Sequence, residues 1–166
     1  MQNKNQLFLF TDGSVNTKTN VGWGAVLTVS NFEVPLENLK QHIRLKSFED
    51  TSSSKLEIQT LIWALSENIH FEGKITVYTD SQTIVGLQGR RNRLENKDYF
   101  SKSGRKINNH EFYREFFKLS DKINCEFIKI KGHKQTEIKN QPDRIFSLVD
   151  RAARNAVRRE EGLIKN

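Results

Sequence analysis

The sequence predicts an α/β fold, a five-stranded mixed sheet with helices on both faces, in a single domain over residues 1–166. Three observations carry that expectation. Apolar runs of strand length stand at Leu7 to Phe10 and at Ile75 to Tyr78. Between them Ile58, Leu61, Ile62, Leu65 and Ile69 recur at helical spacing. Strand-like segments cluster at the start of the chain, and helical and strand-like segments then alternate to its end.

Gln6 to Asp12 is nearly all apolar and reads as a strand buried on both faces, closed by a turn at Gly13-Ser14. Val21 to Ser30 and Val34 to Ser47 suit the next two members of an antiparallel meander. In the first of these Gly22 and Gly24 flank Trp23, a pattern expected where backbone approaches closely near the mouth of a site. Thr51 and the serines Ser52, Ser53 and Ser54 offer N-caps for the helix that follows, and Gly73 stops it. Lys74 to Asp80 returns as a strand, and Ser81 to about Leu87 is a short helix. Phe112, Phe116 and Leu119 mark another helix, and Asn124 to Lys131 a last strand. A C-terminal helix over about 142–160 carries Ile145, Leu148, Val149, Ala152 and Ala156, with Pro142 suited to its first turn.

The chain has 166 residues, enough for one sizeable core and short for two. Its apolar runs are too short to span a bilayer, and Met-Gln-Asn-Lys-Asn at the start lacks the apolar heart of a signal peptide, so a soluble cytoplasmic protein is expected. The single cysteine, Cys125, has no internal disulfide partner and suits a partly buried packing position. A net charge of +7 is only a weak pointer to a polyanionic partner, and its distribution says more. From Gly86 to Ile107, Arg90, Arg91, Arg93, Lys97, Lys102, Arg105 and Lys106 face only Glu95 and Asp98. Most of the surplus charge is concentrated in that one segment.

Four acids occupy positions suited to chemistry: Asp12 ends the first apolar run, Glu57 lies beside the stripe of the first long helix, Asp80 ends the 75–79 run and Asp150 falls in the last helix. Each has an ordinary reading. Asp12 before a glycine suits a turn, Glu57 an exposed helix position, Asp80 an N-cap, Asp150 a solvated helix face, and His133 a loop. Gathered in one site, four carboxylates would raise one another's pKa and destabilise the fold unless a cation neutralised them. Magnesium accepts oxygen ligands and is held by a few carboxylates together with substrate phosphates. Zinc is disfavoured by one cysteine and four scattered histidines.

The ordered set Thr11-Asp12-Gly13-Ser14, Lys55-Leu56-Glu57, Tyr78-Thr79-Asp80-Ser81-Gln82, Lys131-Gly132-His133 and Asp150-Arg151-Ala152-Ala153-Arg154 resembles the successive motifs of type 1 ribonuclease H. Val21-Gly22-Trp23-Gly24-Ala25-Val26-Leu27 is similar to that family's second strand, and the basic segment around 86–107 to its protruding basic helix. The runs Gly89 to Leu94 and Ser103 to Lys106 are also similar to ribonuclease H domains of retroviral reverse transcriptases.

The resemblance implies a ribonuclease H-like fold and an endonuclease that hydrolyses the RNA strand of RNA/DNA hybrids, leaving a 5′-phosphate and a 3′-hydroxyl. It implies two Mg2+ ions, replaceable by Mn2+, on Asp12, Glu57, Asp80 and Asp150, with His133 on a mobile loop assisting proton transfer or product departure. Nucleic-acid contacts are expected at Asn16, Ser52, Ser53, Ser54 and Gln82, and at Arg90, Arg91 and Arg93 of the protrusion. The protein is expected to be a monomer with no membrane partner.

The chain departs from the family pattern in two places. Asn16-Thr17-Lys18-Thr19-Asn20 replaces a glycine-rich turn. The interval from His133 to Asp150 is long, which leaves Asp143 as a rival fourth ligand; Asp150 is preferred because its helix sequence matches, whereas Pro142-Asp143 looks like a helix start. A DNA-processing relative of the same fold is disfavoured by the compact length and the Lys-Gly-His turn. A noncatalytic hybrid-binding module is disfavoured by the presence of all four acids.

Overall fold

The computed structural model describes residues 5–131 and 139–165. Five strands, β1 (Gln6–Asn16), β2 (Val21–Val29), β3 (Arg44–Phe48), β4 (Lys74–Thr79) and β5 (Cys125–Lys129), form one sheet in the order β3-β2-β1-β4-β5. The pairs β1–β2 and β2–β3 are antiparallel, whereas β1–β4 and β4–β5 are parallel.

Strand alternation sorts the core into two layers. Leu9, Val26, Ile75 and Val77 face one side, where α2 (Ser53–Ser66) and α5 (His110–Ser120) supply Ile58, Leu61, Leu65, Phe116 and Phe117. Phe10, Ala25, Leu27 and Tyr78 face the other, against Ile145, Phe146, Val149 and Ala153 of α6 (Gln141–Glu160). Helices therefore cover both faces, as the sequence predicted.

Caps set the helix starts. The Ser52 hydroxyl accepts the Lys55 N–H at 3.3 Å to begin α2. Asn140 and Asp143 form a reciprocal capping box at α6, with Pro142 in its first turn. Glycines then allow α2 to lie close to the sheet. A Cβ at Gly24 would stand 2.4 Å from Thr60 Oγ1, and one at Gly13 2.6 Å from Leu56 Cδ2.

Several expectations need correction. Gly13-Ser14 is not a turn: β1 runs on to Asn16, because the pairing with β2 continues through Gly13↔Gly24 to Asn16↔Val21. The turn lies at 17–20, where Asn20 takes a left-handed φ of 57° and its N–H reaches the Asn16 carbonyl at 2.8 Å. Only the middle of β1 is fully buried. The segment 34–47 is not one strand. Pro35 starts the short helix α1 (Leu36–Leu39), a 3₁₀ turn follows at Lys40–His42, and only Arg44 onward joins the sheet; Leu39 supplies the buried anchor. Helix α2 ends at Ser66, short of Ile69. The last strand is shorter than expected at both ends.

The basic segment forms α4 (Leu87–Asn96), preceded by α3 (Gln82–Val85), and a loop. Helix α4 has few apolar residues and buries Leu87 and Leu94. Arg91 binds it to the end of α5 through two hydrogen bonds to the Asp121 carboxylate, at 2.5 and 2.9 Å, and lies over the Phe117 ring at 5.0 Å. Asp98 pins the loop by accepting from Lys106 and Arg114. Among the described residues no helix is long and apolar enough to cross a membrane.

Candidate active site

Phe10 of β1 and Tyr78 of β4 are register partners whose rings stack at 4.8 Å on the α6 face. Two residues further along β1, on that same face by strand alternation, comes Asp12; directly past the end of β4 comes Asp80. This is where β1 keeps its antiparallel partner β2 but loses its parallel partner β4, a crevice at the carboxyl ends of parallel strands. Asp150 enters from α6, next to the buried Val149.

Asp12 is the electrostatic centre of the group. Burial raises its pKa most, and the charges of Asp80 and Asp150 add to that, together with a hydrogen bond from the protonated Asp12 carboxyl to Asp150. The Gly13 N–H works in the opposite direction, and the carboxyl is pushed up to about 8. Glu57 reaches the other flank from α2. Burial raises its pKa, the Ser81 hydroxyl donating at 2.6 Å lowers it, and the Asp80 charge raises it.

Glu57, Asp80, Asp12 and Asp150 thus stand as a line of neighbours coupled pair by pair. They do not form a closed cage: among the described residues no three acids, histidines or cysteines gather into a metal-ligating group. The donors nevertheless fit a hard divalent cation. They are all carboxylate oxygens, and an Asp12 pKa pushed up to about 8 marks a surplus of negative charge that a cation would relieve.

The two rivals for the last position differ in their commitments. Asp143 is buried and accepts the Asn140 N–H at 3.1 Å within the capping box. Asp150 interacts with Asp12 and pairs with Arg154 one turn along α6. The helix-start reading of Pro142-Asp143 therefore holds. A cavity of 150 Å³ beside the acids is lined by both, along with Asp80, Lys131, Lys139 and Arg154. His133 and Gly132 lie outside the described residues.

The expected nucleic-acid contacts are scattered in character. Asn16 Oδ1 accepts the Lys18 N–H at 2.9 Å, which is a turn role. Ser52 caps α2, while Ser53 and Ser54 are exposed, and Ser54 Oγ is 3.4 Å from Asn109 Nδ2. Gln82 Oε1 accepts from Lys129 at 2.7 Å. Arg90 donates to the Thr83 carbonyl at 3.0 Å, and Arg91 is committed to Asp121 and Glu95. Of the three arginines, Arg93 alone has no side-chain hydrogen bond or ion pair among the described residues. It lines a basic cavity with Arg90, Lys97, Lys102 and the exposed Phe100.

A family model for RNase H matches residues 4–158. The chain belongs to the RNase H family. A ribonuclease H of Moorella thermoacetica is 26% identical over 159 residues, covering 94% of this chain and 96% of that one. A ribonuclease H of Acetivibrio thermocellus is 25% identical over 140 residues, covering 82% and 89%. Among solved structures, the solution structure of the PFV RNase H domain superposes with a TM-score of 0.69 at 16% identity, covering 90% of this chain and 92% of that one. The foamy viral protease-reverse transcriptase in complex with dsDNA gives 0.62 at 11% identity, covering 90% and 94%. The RNase H fold is thus common to this chain and the retroviral domains.

One participant escaped the sequence reading. Ser81 caps α3, accepting the Ile84 N–H at 3.3 Å, and donates to Glu57. Asp80 is therefore not the cap of that helix. A serine three residues before a helical N–H is a recognisable cap signal, but its second partner on α2 is a tertiary contact that no local pattern carries.

Proposed function

We propose that this RNase H is an endoribonuclease that hydrolyses the RNA strand of RNA/DNA hybrids and releases 5′-phosphate and 3′-hydroxyl ends. Asp12, Glu57, Asp80 and Asp150 would hold two Mg2+ ions, with Mn2+ able to replace them. When bound, such ions supply an activated water at neutral pH and stabilise the attacking and leaving oxygens of an in-line displacement. The observation that carries the reading is the electrostatic link from Asp80 through Asp12 to Asp150, in a chain of the RNase H family.

The residues divide the work by their anchoring. Asp12 sits within a paired strand and is the fixed member. Glu57 is held by the Ser81 hydroxyl, which favours its ionised form. Asp150 is balanced by Arg154. His133 would accept or deliver a proton as the product leaves. Backbone N–H groups and the exposed Ser53 and Ser54 at the start of α2 suit a phosphate of the DNA strand. Arg93, with Lys97 and Lys102, suits phosphates farther along the duplex.

The test is release of short labelled RNA from an RNA/DNA hybrid in Mg2+, with duplex DNA of the same sequence left intact. Intact cleavage by an Asp80→Asn variant would remove the metal-site assignment.

A further inference from the structure

Two adjoining cavities, of 300 and 360 Å³, share Leu45 and Arg159 and make one groove between β3 and α6. Its origin is legible in the helix sequence. Leu148, Ala152 and Ala156 recur every fourth residue along α6, and Arg151, Asn155 and Arg159 form a parallel row beside them. The first row, with Leu45 of β3 and Ile43 just before it, gives an apolar floor, and Lys40 joins the two arginines on the rim.

The charges on that rim are unpaired. Lys40, Arg151 and Arg159 have no hydrogen-bonded side-chain partner or ion pair among the described residues, and no acid lines the first cavity. Four arginines elsewhere are paired, Arg44 with Glu67, Arg91 with Asp121, Arg114 with Asp98 and Arg154 with Asp150, whereas Arg93 of the basic protrusion is unpaired among the described residues. Three free cations around an apolar trough are complementary to carboxylates interspersed with apolar side chains.

We propose that this groove docks an acidic peptide segment of another protein, whose bulky apolar side chains fill the floor while its carboxylates meet Lys40, Arg151 and Arg159. A nucleic acid fits less well. The floor is aliphatic, and at the far end Glu160, which accepts from Trp23 Nε1 at 3.1 Å, would repel a continuous phosphate chain. Arg151 also lines the cavity beside Asp80 and Asp150, so docking brings the partner next to the acidic cleft.

The experiment is fluorescence anisotropy on the full chain with a labelled peptide of about ten residues, aspartates interrupted by leucines. Saturable binding is expected, weakened about tenfold or more by Lys40→Glu/Arg159→Glu, by replacing the leucines with serine, and by replacing the aspartates with lysine. Hybrid cleavage by the double variant should be unchanged. Amide shifts in the wild-type protein should move at Lys40, Leu45, Arg151 and Arg159, a readout that does not need the variant to fold. The proposal is overturned if the peptide fails to saturate, if the charge-reversed variant or the serine peptide binds equally well, or if a single-stranded oligonucleotide displaces the peptide. It is equally overturned if sedimentation shows that the groove pairs two copies of this chain.

Discussion

The Ser81 hydroxyl lies 2.6 Å from Glu57 Oε2 and also caps α3 by accepting the Ile84 N–H. One short side chain thereby joins the strand end that carries Asp80 to the helix that carries Glu57.

Ser81→Ala should act on both partners. Loss of the cap is expected to lower stability by about 1 kcal/mol. Loss of the donor removes the interaction that lowers the Glu57 pKa, so that pKa rises further above its ordinary value. The acidic limb of the rate profile should move to higher pH. Thermal melts and cleavage rates measured across pH check the two effects separately, and an unmoved acidic limb would detach Ser81 from the chemistry.

Asp12→Asn should inactivate the protein yet stabilise it without metal. The folded-state pKa is pushed up to about 8 from the ordinary 3.8, so the folded state holds a proton that the unfolded state has released. Stability is therefore lost as pH rises from about 4 to about 8. The asparagine variant does not titrate and should be flatter over that window, with an advantage on the order of a few kcal/mol at its upper end. Melting temperatures in a chelator between those limits decide it.

Binding of Mg2+ should displace the same proton. At neutral pH calorimetric titration in buffers of differing ionisation enthalpy is expected to show release approaching one proton per protein, falling away as pH rises past about 8. Mg2+ should also raise the melting temperature more in the wild type than in Asp12→Asn.

Gly24→Ala tests the approach of α2 to the sheet. Its methyl would meet Thr60 Oγ1 at 2.4 Å, which the rigid threonine cannot evade without a shift of the helix. A loss of about 1–3 kcal/mol is expected, with reduced cleavage because Glu57 rides on the same helix. Thr60→Ala should recover part of both, and a double-mutant cycle on stability and rate measures the coupling.

The basic protrusion should respond unequally to its arginines. Arg93→Ala is expected to weaken hybrid binding and flatten its dependence on salt. Arg91→Ala should instead loosen α4 from α5, through the lost Asp121 pair and Phe117 contact. Affinity measured at several salt concentrations, beside thermal melts, separates the two; an unchanged slope in Arg93→Ala would take that residue off the nucleic-acid path.

Much of this was legible because it is periodic. The apolar runs of β1 and β4 and the helical stripes of α2 and α6 made the sheet and the helices on its two faces readable, and placed Asp12 and Asp80 at or just past the runs and Asp150 in the last helix. What escaped was decided by partners distant in sequence. Gly13-Ser14 looks like a turn until β2 is there to pair with it, and Leu36 to Leu39 looks like a strand until Leu39 is buried as a helical anchor. Arg90 and Arg91 look like Arg93 until Thr83 and Asp121 claim them. No local pattern reveals the second partner of Ser81.

The extension of β1 past Asp12 has a mechanical consequence. Four rungs of the ladder, from Gly13↔Gly24 to Asn16↔Val21, separate the Asp12↔Ala25 pair from the hairpin tip. The tip is thus insulated from the acid: residues 17–20 can lengthen, shorten or change composition to suit a different duplex surface while the carboxylate stays in register. On the proposed reading, a tip free to vary and a carboxylate held constant are carried by one stiff strand, four rungs apart.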